Sequence, residues 1–117
     1  MAILPREAVG DTLPTIKFEP AYKGKGDARQ EIGSKLTAML LFDNCAHVPI
    51  TIAGLDISKL PSPDIVSERN MKMQFLVARF RNLEVSFRGG DYGTVIYSGT
   101  ASGIEFLNLN APATPAR

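Results

Sequence analysis

The sequence predicts an all-β fold, a small barrel of five to six strands with one short helical connector. Between residues 83 and 88 apolar side chains alternate with polar ones, which is the period of a half-buried strand. The glycine-rich stretch 88–93 then predicts a turn, and a second alternating segment follows over 94–98. Further upstream, Pro61 and Pro63 exclude a long regular helix, so helical structure is expected only in a short connector.

The N-terminal third supplies the first strand. Residues 1–12 are expected to form a lead-in arm ahead of the domain. Residues 15–19 alternate and predict a strand, and Pro20 places its end at a sheet edge or a bulge. Residues 21–33 are polar, contain three glycines and have no apolar period, so we expect a long, mobile loop or a hairpin tip there.

The middle of the chain predicts a hairpin and the connector. Residues 36–42 form a continuous apolar run of strand length, and residues 47–53 follow as a second strand after the turn pair Asp43-Asn44. Residues 54–70 break the β-pattern, and we expect a short helical turn near 55–60.

The C-terminal part completes one domain over residues 13–108. A β-meander is expected over 71–108, and its last strand alternates over 104–108. Residues 109–117 are rich in proline and alanine, which predicts a disordered tail. Three strands, a connector and two or more further strands are the succession that an OB-fold requires, and an SH3-like barrel or a small sandwich shares much of it.

Composition sets limits on the class of protein. The 117 residues suffice for one domain, and 13 basic against 12 acidic residues give a net charge of +1. The single cysteine cannot form an internal disulfide and favours a reducing compartment. Neither a secretory signal nor an apolar run long enough to cross a membrane is recognised, so we expect a cytoplasmic protein with no membrane partner.

The sequence offers no starting point for catalysis or metal binding. Cys45 and His47 are two potential ligands without a second pair, and no nucleophile stands beside a base. Gly24 and Gly26 begin a G-x-G-x-x-G pattern, but Arg29 occupies the place of its third glycine. We therefore expect no enzymatic activity, no cofactor and no bound metal.

Positive charge is concentrated in one segment of the chain. Between residues 69 and 88 there are five cations against one carboxylate, Glu84, and five minus one leaves a local charge of +4. Alternate residues of a strand share a face, so Arg79 and Arg81 should point to solvent while Phe80 points to the core. Such a face could follow a phosphate backbone, although arginines on strands are more often only a solvated surface. The five cations are Arg69, Lys72, Arg79, Arg81 and Arg88.

A second group of cations lies in the glycine-containing loop. Lys23, Lys25 and Arg29 are expected to close over the strand-borne arginines, unless they only keep the loop soluble. Bases need flat side chains on which to stack, and Tyr22 beside this loop and Tyr92 at the 88–93 turn are the candidates.

The segment FLVARFRNLEVSFRGGDYGTVIYSGTASGIEF resembles the final strands of small OB-fold single-stranded-DNA-binding accessory proteins of rolling-circle replicons and conjugative elements. The resemblance rests on the Asn82-Leu83 step, the glycine turn and the segment from Ala101 to Ile104. It implies binding of single-stranded nucleic acid, assistance to DNA replication or transfer on a mobile element, and replication or transfer proteins as partners. The alternative is a structural or interaction protein, a small barrel that assembles with itself or with a virion or secretion machine. The sequence excludes neither a monomer nor a homodimer, and it does not distinguish DNA from RNA.

Overall fold

The computed structural model describes residues 2–4, 10–24 and 26–108, and the predicted tail of residues 109–117 lies outside these ranges. The predominantly β fold is confirmed: eight strands join one mixed sheet, beside a single α-helix, α1 (Pro63–Met71), within the described residues. The strands are β1 (Ala2–Ile3), β2 (Thr12–Lys23), β3 (Gln30–Leu40), β4 (Ala46–Ala53), β5 (Leu76–Arg81), β6 (Glu84–Gly89), β7 (Val95–Ala101) and β8 (Gly103–Phe106).

The predicted hairpin of residues 36–42 and 47–53 is confirmed as β3 and β4. Its inward side chains alternate along β3, and Leu36, Ala38 and Leu40 are completely buried. Asn44 adopts a left-handed conformation, with φ at 53°, in the turn between the two strands. Apolar burial on one face of both strands therefore fixes the register of the pair, because a shift by one residue would expose every one of these side chains.

Of the two expectations for residues 21–33, the hairpin tip is confirmed, although the tip is shorter than predicted. β2 continues to Lys23 and β3 begins at Gln30, which leaves a connection of six residues, 24–29. Apolar side chains do not alternate here, because Gly33, which lies opposite Ala21 in the β2–β3 pair, has no side chain. A β-carbon on Gly33 would lie 2.1 Å from the backbone oxygen of Ile52 on β4, so glycine allows the close approach of the two strands.

The connector contains more helix than the sequence predicted. The expected helical turn is confirmed at Ile57–Lys59, where the Asp56 carboxylate accepts a hydrogen bond of 2.9 Å from the backbone N–H of Ser58. A helix, α1 (Pro63–Met71), follows it and packs against β2. Pro63 is compatible with this helix because it occupies the first turn, where its missing N–H would have no helical partner.

The meander begins at β5 and not at residue 71. Met71 ends α1, and Met73 has a positive φ of 54° in the following turn. Both side chains are exposed, so the two-residue spacing of Met71 and Met73 does not reflect the alternation of a strand. The predicted strands over 83–88, 94–98 and 104–108 are confirmed as β6, β7 and β8.

The sheet has eight strands and does not close into the predicted barrel of five to six strands. The strand order in the sheet is β1-β6-β7-β4-β3-β2-β5-β8, and the two terminal strands, β1 and β8, do not pair with each other. All neighbours are antiparallel except β4 and β7. β1 lies inside the stretch predicted to be a lead-in arm. Leu4 extends it, donating its N–H to the oxygen of Val85 at 2.8 Å.

One bent hairpin joins the two halves of this sheet. Arg81 lies opposite Gly103 in the β5–β8 pair, and Glu84 lies opposite Thr100 in the β6–β7 pair, so the register continues without a slip. At the bend, Ser102 donates its N–H to the Arg81 oxygen at 2.9 Å. β5 and β6 are far apart in the strand order, yet a link of two residues spans only about 11 Å between their ends. The sheet must therefore coil strongly.

The core fills the inside of this coil. Phe80, at the centre of β5, is 1% exposed, as its position between two arginines predicted. Phe18 and Phe106 pack with their ring centroids 5.6 Å apart. The cluster draws on β2 to β6 and on the connector, which makes it one continuous core. Among the described residues no helix has the length and apolarity needed to cross a membrane.

The close approach at Gly33 gives a first prediction. Gly33→Ala should lower the free energy of unfolding by about 1–3 kcal/mol, because β3 must move away from β4 to admit a methyl group. Gly89→Ala is the matched control, since a β-carbon there meets no atom within 4 Å, and its effect should stay within about 0.5 kcal/mol. Urea denaturation measures both. Equal stabilities for the two variants would contradict the packing described here.

Candidate nucleic-acid interface

The two cations near the end of α1 have structural partners. The Arg69 side chain donates to the backbone oxygen of Gln74 at 2.7 Å and to that of Asn108 at 3.3 Å, and so ties the helix to the chain after β8. Lys72 Nζ lies 2.8 Å from Glu68 Oε1, and this hydrogen bond lowers the pKa of Glu68 below its usual value. Arg69 is therefore held by the fold, whereas Lys72 remains exposed in an ion pair at the surface; both were predicted to contribute to the site.

The strand arginines point to solvent as predicted. Arg79 and Arg81 are exposed on one face of β5, and neither takes part in an ion pair among the described residues. Glu105 of β8 lies directly opposite Arg79. The Arg81 side chain lies over Gly103, whose missing β-carbon leaves space for it. This face is accessible, but a carboxylate accompanies its two cations.

The loop cations lie elsewhere. The Arg29 guanidinium stacks 4.3 Å from the centre of the Tyr22 ring, and Tyr22 remains 46% exposed. Lys23 is exposed at the end of β2, and Lys25 lies outside the described residues. Arg79 pairs with Thr12 at the other end of β2, eleven residues away, which is about 35 Å along a strand. The register therefore does not place the loop over the β5 arginines, as had been predicted.

The turn between β6 and β7 presents the second tyrosine. Tyr92 is fully exposed and has a positive φ of 58°. The turn is closed beneath it by a backbone hydrogen bond of 2.8 Å from Gly90 N–H to the Thr94 oxygen. Arg88 is exposed at the end of β6, at the base of this turn. Tyr92 and Arg88 thus lie at one tip together with the exposed Asp91, so the tip is aromatic and carries one charge of each sign.

A polar surface, which we call the outer face, lies between the loop and this tip. It is the solvent side of β3, β4, β7 and β6, and one row of paired residues crosses all four strands. Hydroxyl groups dominate it, and Ser86 and Ser98 lie within hydrogen-bond distance of each other on neighbouring strands. The side chains are exposed or half-buried. The row consists of Lys35, Thr51, Thr100 and Glu84.

The sequence analysis missed the outer face because its members are distant along the chain. Lys35 is the cation that it adds, and its amino group lies 3.2 Å from Glu19 of β2. The loop 24–29 lies beyond one end of this face and the Tyr92 turn beyond the other, because β2 runs parallel to β4 and β7. Five of the ten predicted residues therefore lie at the two ends of this surface, Tyr22, Lys23 and Arg29 at one end and Arg88 and Tyr92 at the other.

A half-buried hydrogen bond lies near this tip. The Tyr97 hydroxyl on β7 donates to Asp43 Oδ2 at 2.5 Å, which connects β7 to the turn between β3 and β4. This hydrogen bond, and to a smaller degree burial and the Asp43 charge, raises the pKa of Tyr97 above its ordinary value. The connection holds the strand that leads out of the Tyr92 turn.

Comparisons with protein-family models, with curated proteins and with solved structures found no match to this chain. Within the described ranges, histidine, cysteine and carboxylate side chains form no group of three that could hold a metal ion.

The different roles of the arginines can be measured. Arg69→Ala should lower the free energy of unfolding by about 1.5–3 kcal/mol, because two backbone oxygens lose a charged donor. Arg79→Ala changes an exposed side chain with no ion pair within the described residues, and should stay within about 0.5 kcal/mol. Thermal and urea denaturation of both variants provide the measurement. A neutral Arg69→Ala would show that this side chain is free.

Tyr97 should make stability decrease in alkali. Its pKa is raised in the folded state, so its contribution is complete below the ordinary value of 10.0 and is lost as the pH rises through the folded value. We expect wild type to lose more stability than Tyr97→Phe between about pH 9 and about pH 11. Other ionisable groups titrate alike in the two proteins, so their contributions to stability cancel in the comparison. Parallel pH profiles would mean that the hydrogen bond to Asp43 is not formed.

Proposed function

We propose that the protein is a non-enzymatic single-stranded-DNA-binding protein that assists DNA replication or transfer, and that it acts in the cytoplasm. The observation that carries this proposal is the outer face with an exposed tyrosine and a cation at each end. Nucleic acid without a defined sequence is bound by stacking platforms together with cations that follow the backbone, and this surface offers both.

The proposed path of a strand follows from the position of these groups. One base stacks on Tyr22, which Arg29 holds in place, and another stacks on Tyr92. Phosphates between them meet Lys23, Lys35 and Arg88, while the hydroxyls of the outer face donate to phosphate or sugar oxygens. Duplex DNA cannot use this path well, because its bases are already stacked on one another.

The order of the strands gives further support. β2, β3 and β4 precede the connector, and the bent hairpin supplies two longer strands after it, which is the succession of the OB-fold. OB-folds are partly open barrels that bind oligonucleotides on the face of their second and third strands and in two flanking loops. Under this proposal, β3 and β4 are that face, and residues 24–29 and 90–94 are those loops.

Titration of labelled oligonucleotides at several salt concentrations tests the proposal. With four phosphates neutralised by Lys23, Arg29, Lys35 and Arg88, the log–log slope should be near −3, at about 0.7 per contact on single strands. Tyr92→Ala should weaken binding about five- to 150-fold, the loss expected from one stacked base. Single strands should bind more tightly than duplex of equal length.

The Arg79→Ala/Arg81→Ala double variant is the matched control for location. It removes two exposed cations from β5, which border neither tyrosine, and should leave affinity within about twofold if the outer face is the site. If this variant alone lost oligonucleotide affinity, the binding site would lie on β5 and the proposed function would still stand. Absence of binding at low salt in a folded wild-type protein would refute the function itself.

The open ends of the sheet favour a second candidate function, assembly with other chains. Among the described strands none pairs with the outer edge of β8, and Leu107 beside it is 45% exposed. An unpaired edge can accept a strand from another copy or from a partner. Analytical ultracentrifugation distinguishes the candidates: association that depends on protein concentration and is abolished by Ile104→Pro would support assembly.

A further inference from the structure

An open cavity of about 470 Å³ lies between β2, the connector and α1, outside the surface proposed for nucleic acid. Ile16 and Phe18 line it on the side of β2, and Val66 lines it on the side of the helix. Burial of further apolar groups against these walls would remove apolar surface from water and would therefore be favourable. The connector adds the apolar residues Ile57, Leu60 and Pro61.

The rim of this cavity carries hydrogen-bond donors. Lys17, Ser62 and Ser67 line it, and all three are exposed. Ser62 Oγ accepts a hydrogen bond of 3.4 Å from the backbone N–H of Ile65, which leaves the hydroxyl hydrogen of Ser62 available for another partner. Apolar walls with donors beside them suit an extended, proline-containing segment, because such a segment presents carbonyl oxygens and few N–H groups.

The described part of the chain ends near this cavity, at Asn108, and the fold holds this residue by three hydrogen bonds. Its side chain accepts from the N–H of Val77 at 2.9 Å and donates to the oxygen of Phe75 at 3.0 Å. Arg69 donates to the backbone oxygen of Asn108 at 3.3 Å, and the next residue of α1, Asn70, lines the cavity. The chain therefore leaves the sheet at a fixed point, beside the helix that forms one wall.

The direction and the length of the following segment agree with this position. β8 runs parallel to β2, because both pair antiparallel with β5, so the chain leaves Asn108 in the direction in which β2 passes from β5 to the cavity. Fully extended, residues 109–117 span up to about 30 Å. The lining residues of α1, from Pro63 to Asn70, occupy only about 10 Å along the helix axis. The segment can therefore reach the cavity and lie along it.

The composition of the segment matches the chemistry of the cavity. Leu109 and Pro112 are its larger apolar residues next to Asn108, alanines separate the polar residues, and the one charged side chain is that of Arg117 at its end. A stretch of this composition cannot bury enough apolar surface on its own, so it gains packing only against another surface.

We propose that residues 109–113 of this chain occupy the cavity, with Leu109 and Pro112 against its apolar walls and their carbonyl oxygens facing the donors of the rim. Because Asn108 tethers the segment beside α1, its effective concentration at the cavity is on the order of millimolar, and weak contacts suffice to hold it there. The connector and α1 thus form a binding surface for the chain's own C-terminal segment.

Nuclear Overhauser effects in the full-length protein test this docking directly. Contacts should connect the Leu109 methyl groups and the Pro112 ring with the Phe18 ring and the Val66 methyl groups. The ¹H–¹⁵N heteronuclear effect should be higher at the amides of residues 109–113 than at Arg117. A sample that mixes labelled and unlabelled copies separates contacts within one chain from contacts between two chains.

Two tail variants with the same added charge provide the matched comparison. Pro112→Asp places a carboxylate where the cavity is apolar, which is costly, so the contacts should be lost and the amide signals of Ile16 and Phe18 should shift. Ala116→Asp adds the same charge outside the docked residues and should leave contacts and signals unchanged. Three results would overturn the proposal: no contacts in wild type, identical spectra for the two variants, or contacts only between different copies.

Discussion

The whole architecture depends on the bend of one long hairpin at Asn82 and Ser102. Asn82 takes a left-handed conformation, with φ at 52°, and its side-chain nitrogen donates to Ser102 Oγ at 2.9 Å. Asparagine tolerates this conformation better than other residues with a β-carbon, because its short polar side chain can hydrogen-bond locally. On one side of the bend the hairpin pairs with β2, and on the other with β4. The three-stranded unit β2-β3-β4 is thereby held along both of its edges.

The bend also explains how a sheet with open ends encloses a core. Side chains on the inner face of both halves of the hairpin meet those of β3 and β4, and Phe80 and Val85 lie on opposite sides of the bend with at most 2% of their surfaces exposed. A flat sheet would leave this face to a second layer, but α1 packs mainly against β2. The coil therefore replaces the missing layer. Because the two terminal strands, β1 and β8, do not pair with each other, their lengths and exposures need not match.

The sequence predicted elements where the inner face is apolar and failed where glycine or proline replaced the usual signal. β3, β4, β6, β7 and β8 carry alternation or an apolar run, and each was predicted. The outer part of the β2–β3 pair was predicted to be a long loop or a hairpin tip, because Gly33 carries no side chain whose period could be read. α1 was missed because Pro63 was taken as a helix breaker, whereas at the first turn proline favours a helix. Closure of the sheet depends on pairing between distant strands, which local patterns do not specify.

The same limit applies to the charged residues of the candidate site, because local patterns do not show which residues lie close together in the fold. Five cations between residues 69 and 88 are neighbours along the chain, but Arg69 and Lys72 are held by backbone oxygens and by Glu68, and Arg79 lies opposite Glu105. Conversely, the row of the outer face comes from four strands, and none of its members was predicted to contribute. The exposure of the candidate side chains was predicted better than their proximity to one another. The alternation within one strand gives the direction of a side chain, whereas only the strand order gives its neighbours in space.

The chemistry of the outer face sets the kind of binding that it could support. Its centre is hydroxyl-rich and carries Lys35 together with Glu19 and Glu84, so it offers hydrogen bonds without a strong field. Two cations that stand in none of the three ion pairs of the described residues, Arg29 and Arg88, lie at its two ends. Electrostatic attraction to phosphate would then be strongest at the two ends, where bases would also stack. Added salt would weaken binding at both ends. A strand held at two ends over a neutral centre needs no fixed sequence between them, because hydroxyl groups can donate to any phosphate or sugar oxygen. Under the proposed function, this arrangement would give sequence-tolerant binding of moderate affinity, from which a strand can be released.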